Sequence, residues 1–420
     1  VSLISRPIQN ERGIAMILAV FAMVLTIVIA TEVAYETSVE YVAAANSLNR
    51  LKAYYAAKSG VELSLFRILL YKKAIATYGD QLKEKKSMLD PIWQFPMSWP
   101  PLGLDNLNAA DKDNIAKIVK ESTLDTQYTA VIEGEGGKID INDLGSDIKT
   151  VSDGVRSQIL QIFTSELENN KAFKNKYENF DFEELVNNIQ DWVDEDNVSL
   201  NKSGDESLNY KLPDNAGNVT LPPNAPFKTL SELHMVHKME DQFFNLLKDR
   251  VTVYGTKGIN VNYAREEVLK SIDAQIKDEV LKKVLERRND PKKGGPFLDE
   301  ADFFNFLEGQ GVRTDNLKKS KIPLLFDAEY NFRIISTGLS TNIKREITAV
   351  TYDIDNLTSR YAEILTTAEN DKAAAAGGGT GSGTSGGGTS GGSGGATPSP
   401  TKDKIKIPKG RPTVVFWQET

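Results

Sequence analysis

From Ile14 to Ala30 the chain is apolar except for Thr26. At a rise of about 1.5 Å per residue, a helix of about 17 such residues reaches the lower edge of what spans a bilayer. The helical pattern continues past the apolar run. Tyr41-Val42-Ala43-Ala44-Ala45 is alanine-rich, Leu48, Leu51 and Tyr55 step by three and four, and Val61, Leu65 and Ile68 resume the stripe. No proline lies between Pro7 and Pro91. The pattern therefore predicts one helix from Ile14 to about Leu70, its first half suited to lipid and its second half carrying one apolar face.

Beyond Pro91–Pro101, rich in proline and aromatics, the period changes. Tyr128 to Glu133 alternates and reads as a strand, and Ile139 to Asn142 as a second short one after the Gly136-Gly137 turn. From about Gly145 to Lys321 the pattern is helical. Asp181-Phe182-Glu183-Glu184 forms a capping box that opens a helix with Leu185, Ile189 and Trp192 on one face, and Thr229-Leu230-Ser231-Glu232 forms another. Phe243 to Leu247, Ile276 to Leu285 and Phe303 to Phe306 continue the helical signal, and Asn262 suits a helix N-cap. Strands return at Tyr330 to Ile334 and Glu346 to Ile354 around a hairpin turn at Gly338 to Asn342, and a last one at Val414 to Glu419. Between them, residues 377–395 hold 12 glycines, a composition that behaves as flexible coil and reads as a loop between strands. Doubling a flexible loop costs only about 0.6 kcal/mol, so a sheet tolerates it.

Charge sets the topology. The residues before the apolar run carry Arg6 and Arg12 against Glu11, and those after it carry Glu32, Glu36 and Glu40 with no base until Arg50. Positive before and acidic after predicts the leader inside and the remainder outside. The formal net charge of −8 does not favour nucleic acid as the main partner, and the absence of cysteine removes disulfides, thiolate metal sites and cysteine nucleophiles. With 40% apolar residues the chain can pack real cores.

A charged leader ending in Gly13, an apolar helix from Ile14 and the small-residue stretch Tyr55-Ala56-Ala57-Lys58-Ser59-Gly60 together resemble a type IV pilin or pseudopilin. The resemblance implies cleavage by a prepilin peptidase between Gly13 and Ile14 and N-methylation of Ile14. Most such proteins carry glutamate at the fifth mature position, where this chain has Leu18. That departure, and about 420 residues of length, make it similar to the minor pseudopilin K family of type II secretion. Further segments carry the resemblance: Gly137-Lys138-Ile139-Asp140-Ile141-Asn142, Asn224-Ala225-Pro226-Phe227 followed by Glu232-Leu233, Val236 and Met239, and Ile259-Asn260-Val261-Asn262-Tyr263-Ala264. Lys238 stands where that family has glycine, and Asp140 where it has asparagine.

The sharpest chemical signal is acidic. Between Asp181 and Glu206 there are nine carboxylates and one base, Lys202. Carboxylates at alternate loop positions can supply the oxygens that calcium takes, six to eight in number, yet the same pattern serves as a solvated loop. It is no EF-hand, because Val198 and Ser199 stand where that loop needs a ligand and a glycine. The resemblance to the pseudopilin K family, whose Asp-Trp-Ile-Asp segment is a calcium loop, implies calcium at Asp191, Asp194, Asp196, Asp205 and Glu206, with Tyr210 in register. His234 and His237 lie three apart, too few ligands for zinc. The nucleophile-elbow pattern Gly383–Gly387 and the G-x-G-x-x-G at Gly381–Gly386 fall in the glycine tract, without the strand and helix that give those motifs meaning.

The expected fold is α+β: a long N-terminal helix on an antiparallel pilin-like sheet with a large inserted all-α, SAM-like domain. The expected division is a leader at 1–13, the helix at 14–70, the first part of the pilin-like domain at 71–144, the helical insert at 145–321, and C-terminal strands at 322–420 with the glycine-rich loop at 373–410. The expected function is structural, not enzymatic: a minor pseudopilin at the pseudopilus tip that starts assembly and supports export of folded proteins. Expected partners are other minor pseudopilins in a ternary tip complex, the major pseudopilin, the prepilin peptidase, and the secretion pore or cargo. The anchor would lie in the inner membrane, single-pass, with the bulk of the chain in the periplasm. A membrane-anchored DNA-uptake protein is the competing reading; it would need a basic face, which Lys282-Lys283, Arg287-Arg288 and Lys292-Lys293 could begin.

Overall fold

The structure, a computed structural model, describes residues 11–82, 88–101, 109–201, 204–210, 221–320, 322–377 and 410–420. Helix α1 runs from Glu11 to Leu82. It starts before the Gly13–Ile14 junction and continues past Leu70, because no proline interrupts it and Tyr71 and Ile75 extend the buried stripe. Side chains from Ile14 to Val42 stand exposed, and from Ala53 onward one face is buried. Small residues make that second half fit. A Cβ on Gly338 would stand 2.0 Å from the Ala53 carbonyl oxygen, and one on Gly60 would stand 2.2 Å from Ser336 Oγ. At Gly338 the sheet meets the helix backbone to backbone, and at Gly60 the helix backbone meets side chains of the sheet, approaches that leave no room for a Cβ.

Along the chain follow α2 (Pro91–Gln94), β1 (Met97–Trp99), α3 (Ala109–Glu121) and β2 (Gln127–Gly134). Then come β3 (Ile139–Asp140), a 3-10 turn at Ile141–Gly145, α4 (Lys149–Asn169), α5 (Lys171–Tyr177) and α6 (Phe182–Val193). Further 3-10 turns at Glu206–Asn209 and Leu230–Met235 precede α7 (Asp241–Leu247) and β4 (Val251–Thr252). The next stretch holds β5 (Ile259–Asn260), α8 (Glu266–Ile272), α9 (Asp278–Asn289), α10 (Glu300–Gly309), α11 (Asp315–Ser320) and β6 (Leu324–Leu325). The chain ends with β7 (Phe332–Ser340), β8 (Ile343–Thr351), α12 (Ile354–Gly377) and β9 (Val414–Glu419). Strands β1-β2-β7-β8-β9 form one antiparallel sheet, in which β2 and β7 pair from Gln127↔Leu339 to Gly134↔Phe332. Everything between β2 and β7 is therefore inserted between two neighbouring strands. The architecture is α+β.

The insert is a duplication. β3 pairs in parallel with β4, and β5 with β6, so each half closes on a short ladder between its own first and last strands. In the first half, Asp140 Oδ1 accepts the Asn142 N–H at 3.1 Å; in the second, Asn260 Oδ1 accepts the Asn262 N–H at 3.2 Å. Asn142 then clasps Phe227, accepting its N–H at 2.7 Å and donating to its carbonyl at 3.1 Å. Asn262 clasps Phe297 in the same way, at 2.8 Å in each direction. Asn262 is therefore a strut between segments, whereas the residue before α8 is Arg265. Side-chain amides suit this role, because each satisfies the backbone donor and acceptor of one buried phenylalanine in an irregular segment.

Two apolar cores result. One lies between the buried face of α1 and the sheet, with Tyr71, Trp93, Phe332 and Ile334; the other fills the insert around Phe163, Phe182, Trp192, Phe243 and Phe303. Buried polar groups join them. Glu135 is fully buried and accepts from Lys138, Arg333 and Thr252, and the two cations hold its carboxyl down at about 2 against the pull of burial. Asn331 donates to the carbonyls of Tyr254 and Gly255, and Arg360 of α12 donates to the Thr256 carbonyl and pairs with Asp327. Asp90 accepts from Tyr71 and Tyr263, one hydroxyl from each side of the junction.

Two expectations shift in detail. The Thr229 box is present, with Glu232 accepting the Thr229 N–H at 2.9 Å, but it opens a 3-10 turn. The short β1 and the helices α3 and α12 had no clear signal in the pattern. β1 is three residues between prolines, and among the described side chains of α12 only Leu357 and Arg360 are well buried. The tract at 378–409, including the motif-like glycines at 381–387, lies outside the described residues.

Candidate cation site

Helix α6 delivers the acidic cluster. Asp181 caps its start by accepting the Glu184 N–H at 3.0 Å, and Leu185, Ile189 and Trp192 bury its apolar face. That orientation places Asp191 in the last turn, 3% exposed, and Asp194 at the C-cap. The following loop folds back as a small hairpin. Val198 and Asp205 form an antiparallel bridge, the Ser199 N–H reaches the Gly204 carbonyl at 3.0 Å, and the Glu206 N–H reaches that of Asn197 at 3.4 Å. Asp191 fixes the hairpin from inside, accepting from Ser199 Oγ at 3.0 Å and from the Leu200 N–H at 3.2 Å.

Glu206 is thereby carried back beneath the loop, where it is 1% exposed. One oxygen each from Asp191, Asp194 and Glu206 lies within 4.8 Å of the others. The remaining two expected residues point elsewhere. Asp196 is exposed and caps the Val198 N–H at 2.7 Å. Asp205 is exposed and accepts from the N–H of Ser207 at 2.9 Å and from its hydroxyl, bonds that hold its carboxyl below the usual range.

The electrostatics of the trio are unfavourable by themselves. Burial, then repulsion from neighbouring carboxylates, pushes Glu206 up to about 8 and Asp194 up to about 7. Asp191 is also raised by burial, against the bonds from Leu200 and Ser199. Buried polar atoms are normally hydrogen-bonded. Here both Glu206 carboxylate oxygens, Asp194 Oδ1 and, from a separate segment, Asn224 Oδ1 are buried with no hydrogen-bond partner. The three converging carboxylates, with no nitrogen or sulfur donor among them, fit a hard cation such as calcium, which takes oxygen ligands in a flexible shell.

The histidines do not converge. His234 faces Asp241 at 3.5 Å with its ring 3.9 Å from that of Phe244, while His237 meets Tyr210 edge-on at 6.3 Å. Much of the basic cluster on α9 is engaged internally. Arg287 pairs with Asp302 at 2.7 Å, Arg288 donates to the carbonyls of Val261 and Ala264, and Lys293 pairs with Glu286 at 3.0 Å. Gly13 and Ile14 lie on α1, which among the described residues is the helix long and apolar enough to cross a membrane; Ile14 and Leu18 are exposed. That helix fits a single-pass anchor.

A long helix laid on an antiparallel sheet, with a duplicated helical domain between adjacent strands and an acidic loop in its first half, is the architecture expected of a pilin-like protein with a helical insert. Part of the chain is similar to the type II secretion system (T2SS) protein K family, whose two domain models match residues 137–256 and 259–322. The border between the two matches falls between β4 and β5, where the structural duplication divides. No curated protein matches the chain. Among solved structures it is similar to a chain in the crystal structure of the GspK-GspI-GspJ complex from the enterotoxigenic Escherichia coli Type 2 Secretion System. That likeness has a TM-score of 0.44 at 14% identity and covers 75% of this chain and 95% of the other.

Proposed function

We propose that this chain is a minor pseudopilin at the tip of a type II secretion pseudopilus, where it starts assembly with other minor pseudopilins and supports export of folded proteins across the outer membrane. The observation that carries the reading is the coexistence of the protein K matches with an uncovered apolar α1 in one chain. An insert spanning residues 135–331, placed between neighbouring sheet strands, is hard to fit inside a packed shaft of such subunits and favours a terminal position. Leu18 supports it further: a carboxylate in lipid is costly and is retained for a task, and this chain has none there. In this reading a prepilin peptidase cuts between Gly13 and Ile14 and Ile14 is methylated. The anchor sits in the inner membrane with the bulk of the chain in the periplasm, and the exposed α1 face meets the major pseudopilin. Calcium at Asp191, Asp194 and Glu206 has a structural role, neutralising oxygens that otherwise repel.

Gold-labelling this protein in assembled pseudopili tests the position. Label confined to filament ends is expected; label spread evenly along the shaft would overturn the assignment. Mass spectrometry of the mature N-terminus tests processing, with methylated Ile14 expected and an intact leader counting against it.

A further inference from the structure

One buried, unpartnered oxygen beside the acidic loop, Asn224 Oδ1, comes from a separate segment. We propose that Asn224 donates its side-chain carbonyl oxygen to the cation held by Asp191, Asp194 and Glu206, so that cation binding fastens segment 221–227 to the acidic loop. The inference rests on the calcium reading above and adds a ligand and a consequence to it.

The amide is planted against the loop. Its Nδ2 donates to the Asp196 carbonyl and, at 3.0 Å, to Asn197 Oδ1, while the Asn197 carbonyl accepts the Glu206 N–H at 3.4 Å. Asn197 thus links Asn224 to the backbone of Glu206, the residue whose carboxylate is buried. The other end of the amide, Oδ1, is buried without a partner. A neutral carbonyl oxygen is an ordinary calcium ligand, and it adds coordination without adding charge to three carboxylates already in conflict.

The duplication supplies an internal control. Three residues before the clasped Phe227 stands Asn224, with φ +47°; three residues before the clasped Phe297 stands Gly294, with φ +117°. Both positions are left-handed, which glycine adopts most easily. In the second half the link from α9 to this position is the short turn at 290–294, and glycine occupies it. In the first half the link from α6 is the acidic loop, and an amide occupies the strained position instead. Asparagine adopts this conformation more readily than other non-glycine residues, so the backbone admits it; what the second half lacks is the buried, unpartnered oxygen that the amide brings.

The consequence follows along the chain. The Ala225 N–H reaches the Trp192 carbonyl at 3.2 Å, the Trp192 ring stacks on Phe227 at 5.7 Å and 2°, and Phe227 is clasped by Asn142. A cation gripping Asn224 therefore tightens a segment already tied to the turn at Ile141–Gly145, next to the junction with the sheet.

The test uses the full chain in detergent micelles, stripped with chelator and titrated with calcium chloride by calorimetry. Asn224→Gly keeps the left-handed backbone and removes the amide; Asn224→Asp keeps a side-chain oxygen. The glycine variant is expected to bind calcium roughly tenfold or more weakly, the scale of losing one supporting group at a metal site, while the aspartate variant retains binding. Hydrogen exchange on the wild-type chain is a second readout: calcium is expected to slow exchange across 221–227, and less so in Asn224→Gly. Wild-type affinity in the glycine variant would overturn the role of Asn224 and leave the three-carboxylate site standing. So would unchanged exchange at 221–227 in a wild-type chain that binds calcium. No calcium binding by the wild-type chain would overturn the site and this inference together.

Discussion

Replacing Glu135 with glutamine tests how the insert is joined to the sheet. The carboxylate is fully buried, with Lys138 Nζ at 3.0 Å, Arg333 Nε at 2.5 Å and Thr252 Oγ1 at 2.5 Å. Its carboxyl is held at about 2, against an ordinary 4.5. Each pKa unit is worth about 1.4 kcal/mol, so the shift corresponds to roughly 3 kcal/mol of folding stability at neutral pH. Breaking a buried ion pair by removing one partner costs about 3–5 kcal/mol, which is the same scale. Arg333 retains attraction from Glu133, so the lower end applies. The sign is fixed by the direction of the shift. A carboxyl depressed in the folded state stabilises above its unfolded value, and the contribution is lost as pH falls from 4.5 through about 2. The assay is urea unfolding of wild type and Glu135→Gln in detergent micelles at pH 7, 5 and 3. The gap should be about 3 kcal/mol at pH 7, almost as large at pH 5, and less than half at pH 3. Equal stability at pH 7, or a gap that stays constant to pH 3, would refute the reasoning.

Asp90 should behave in the opposite sense: burial raises it to about 6, so its ionised form costs stability once pH exceeds 3.8. Asp90→Asn, whose amide oxygen still accepts from Tyr71 and Tyr263, should raise the urea midpoint at pH 8 and leave it nearly unchanged at pH 4; a loss at pH 8 would contradict this. Gly338→Ala would put a methyl 2.0 Å from the Ala53 carbonyl oxygen, forcing α1 off the sheet. Overpacking of this kind costs about 1–3 kcal/mol, measurable as a lower melting temperature, whereas the same change at Gly309, with nothing within 4 Å of its Cβ position, should be nearly silent. Calcium should raise the melting temperature of the wild-type chain and chelator should lower it. Glu206→Gln should abolish that difference while raising the melting temperature of the chelated protein, since it removes a carboxyl whose ionisation burial and its neighbours oppose; identical curves in every condition would count against the site.

The elements that were legible in the sequence are those whose side chains repeat a packing demand. The long α1 followed from an uninterrupted stripe, and β2, β7, β8 and β9 from alternation. α6 followed from Asp181 and its apolar face. β1 and α12 were not legible: β1 is too short to show a period, and α12 buries too little to require one. The candidate site was half legible. Acidic density marked the loop, but sequence spacing cannot show that Asp205 turns outward to Ser207 while its neighbour Glu206 turns inward. That choice is made by the Val198–Asp205 bridge, a contact between the two sides of the hairpin.

The duplication was present in the sequence as two weak echoes, Ile139-Asp140-Ile141-Asn142 against Ile259-Asn260-Val261-Asn262 and Pro226-Phe227 against Pro296-Phe297. Each echo is short because the repeat is held by a few amide clasps and not by a long shared surface. That economy explains how the halves diverged. A half that closes through one asparagine on one phenylalanine can accept any loop between that phenylalanine and the helix before it, provided the loop does not disturb the clasp. In the second half the loop is a turn ending in Gly294. In the first it grew into a hairpin dense in carboxylates, which cannot be buried without a counter-charge. A bound cation would supply that charge, so the loop that distinguishes the first half would also make its stability depend on an ion, while the second half would remain independent of it.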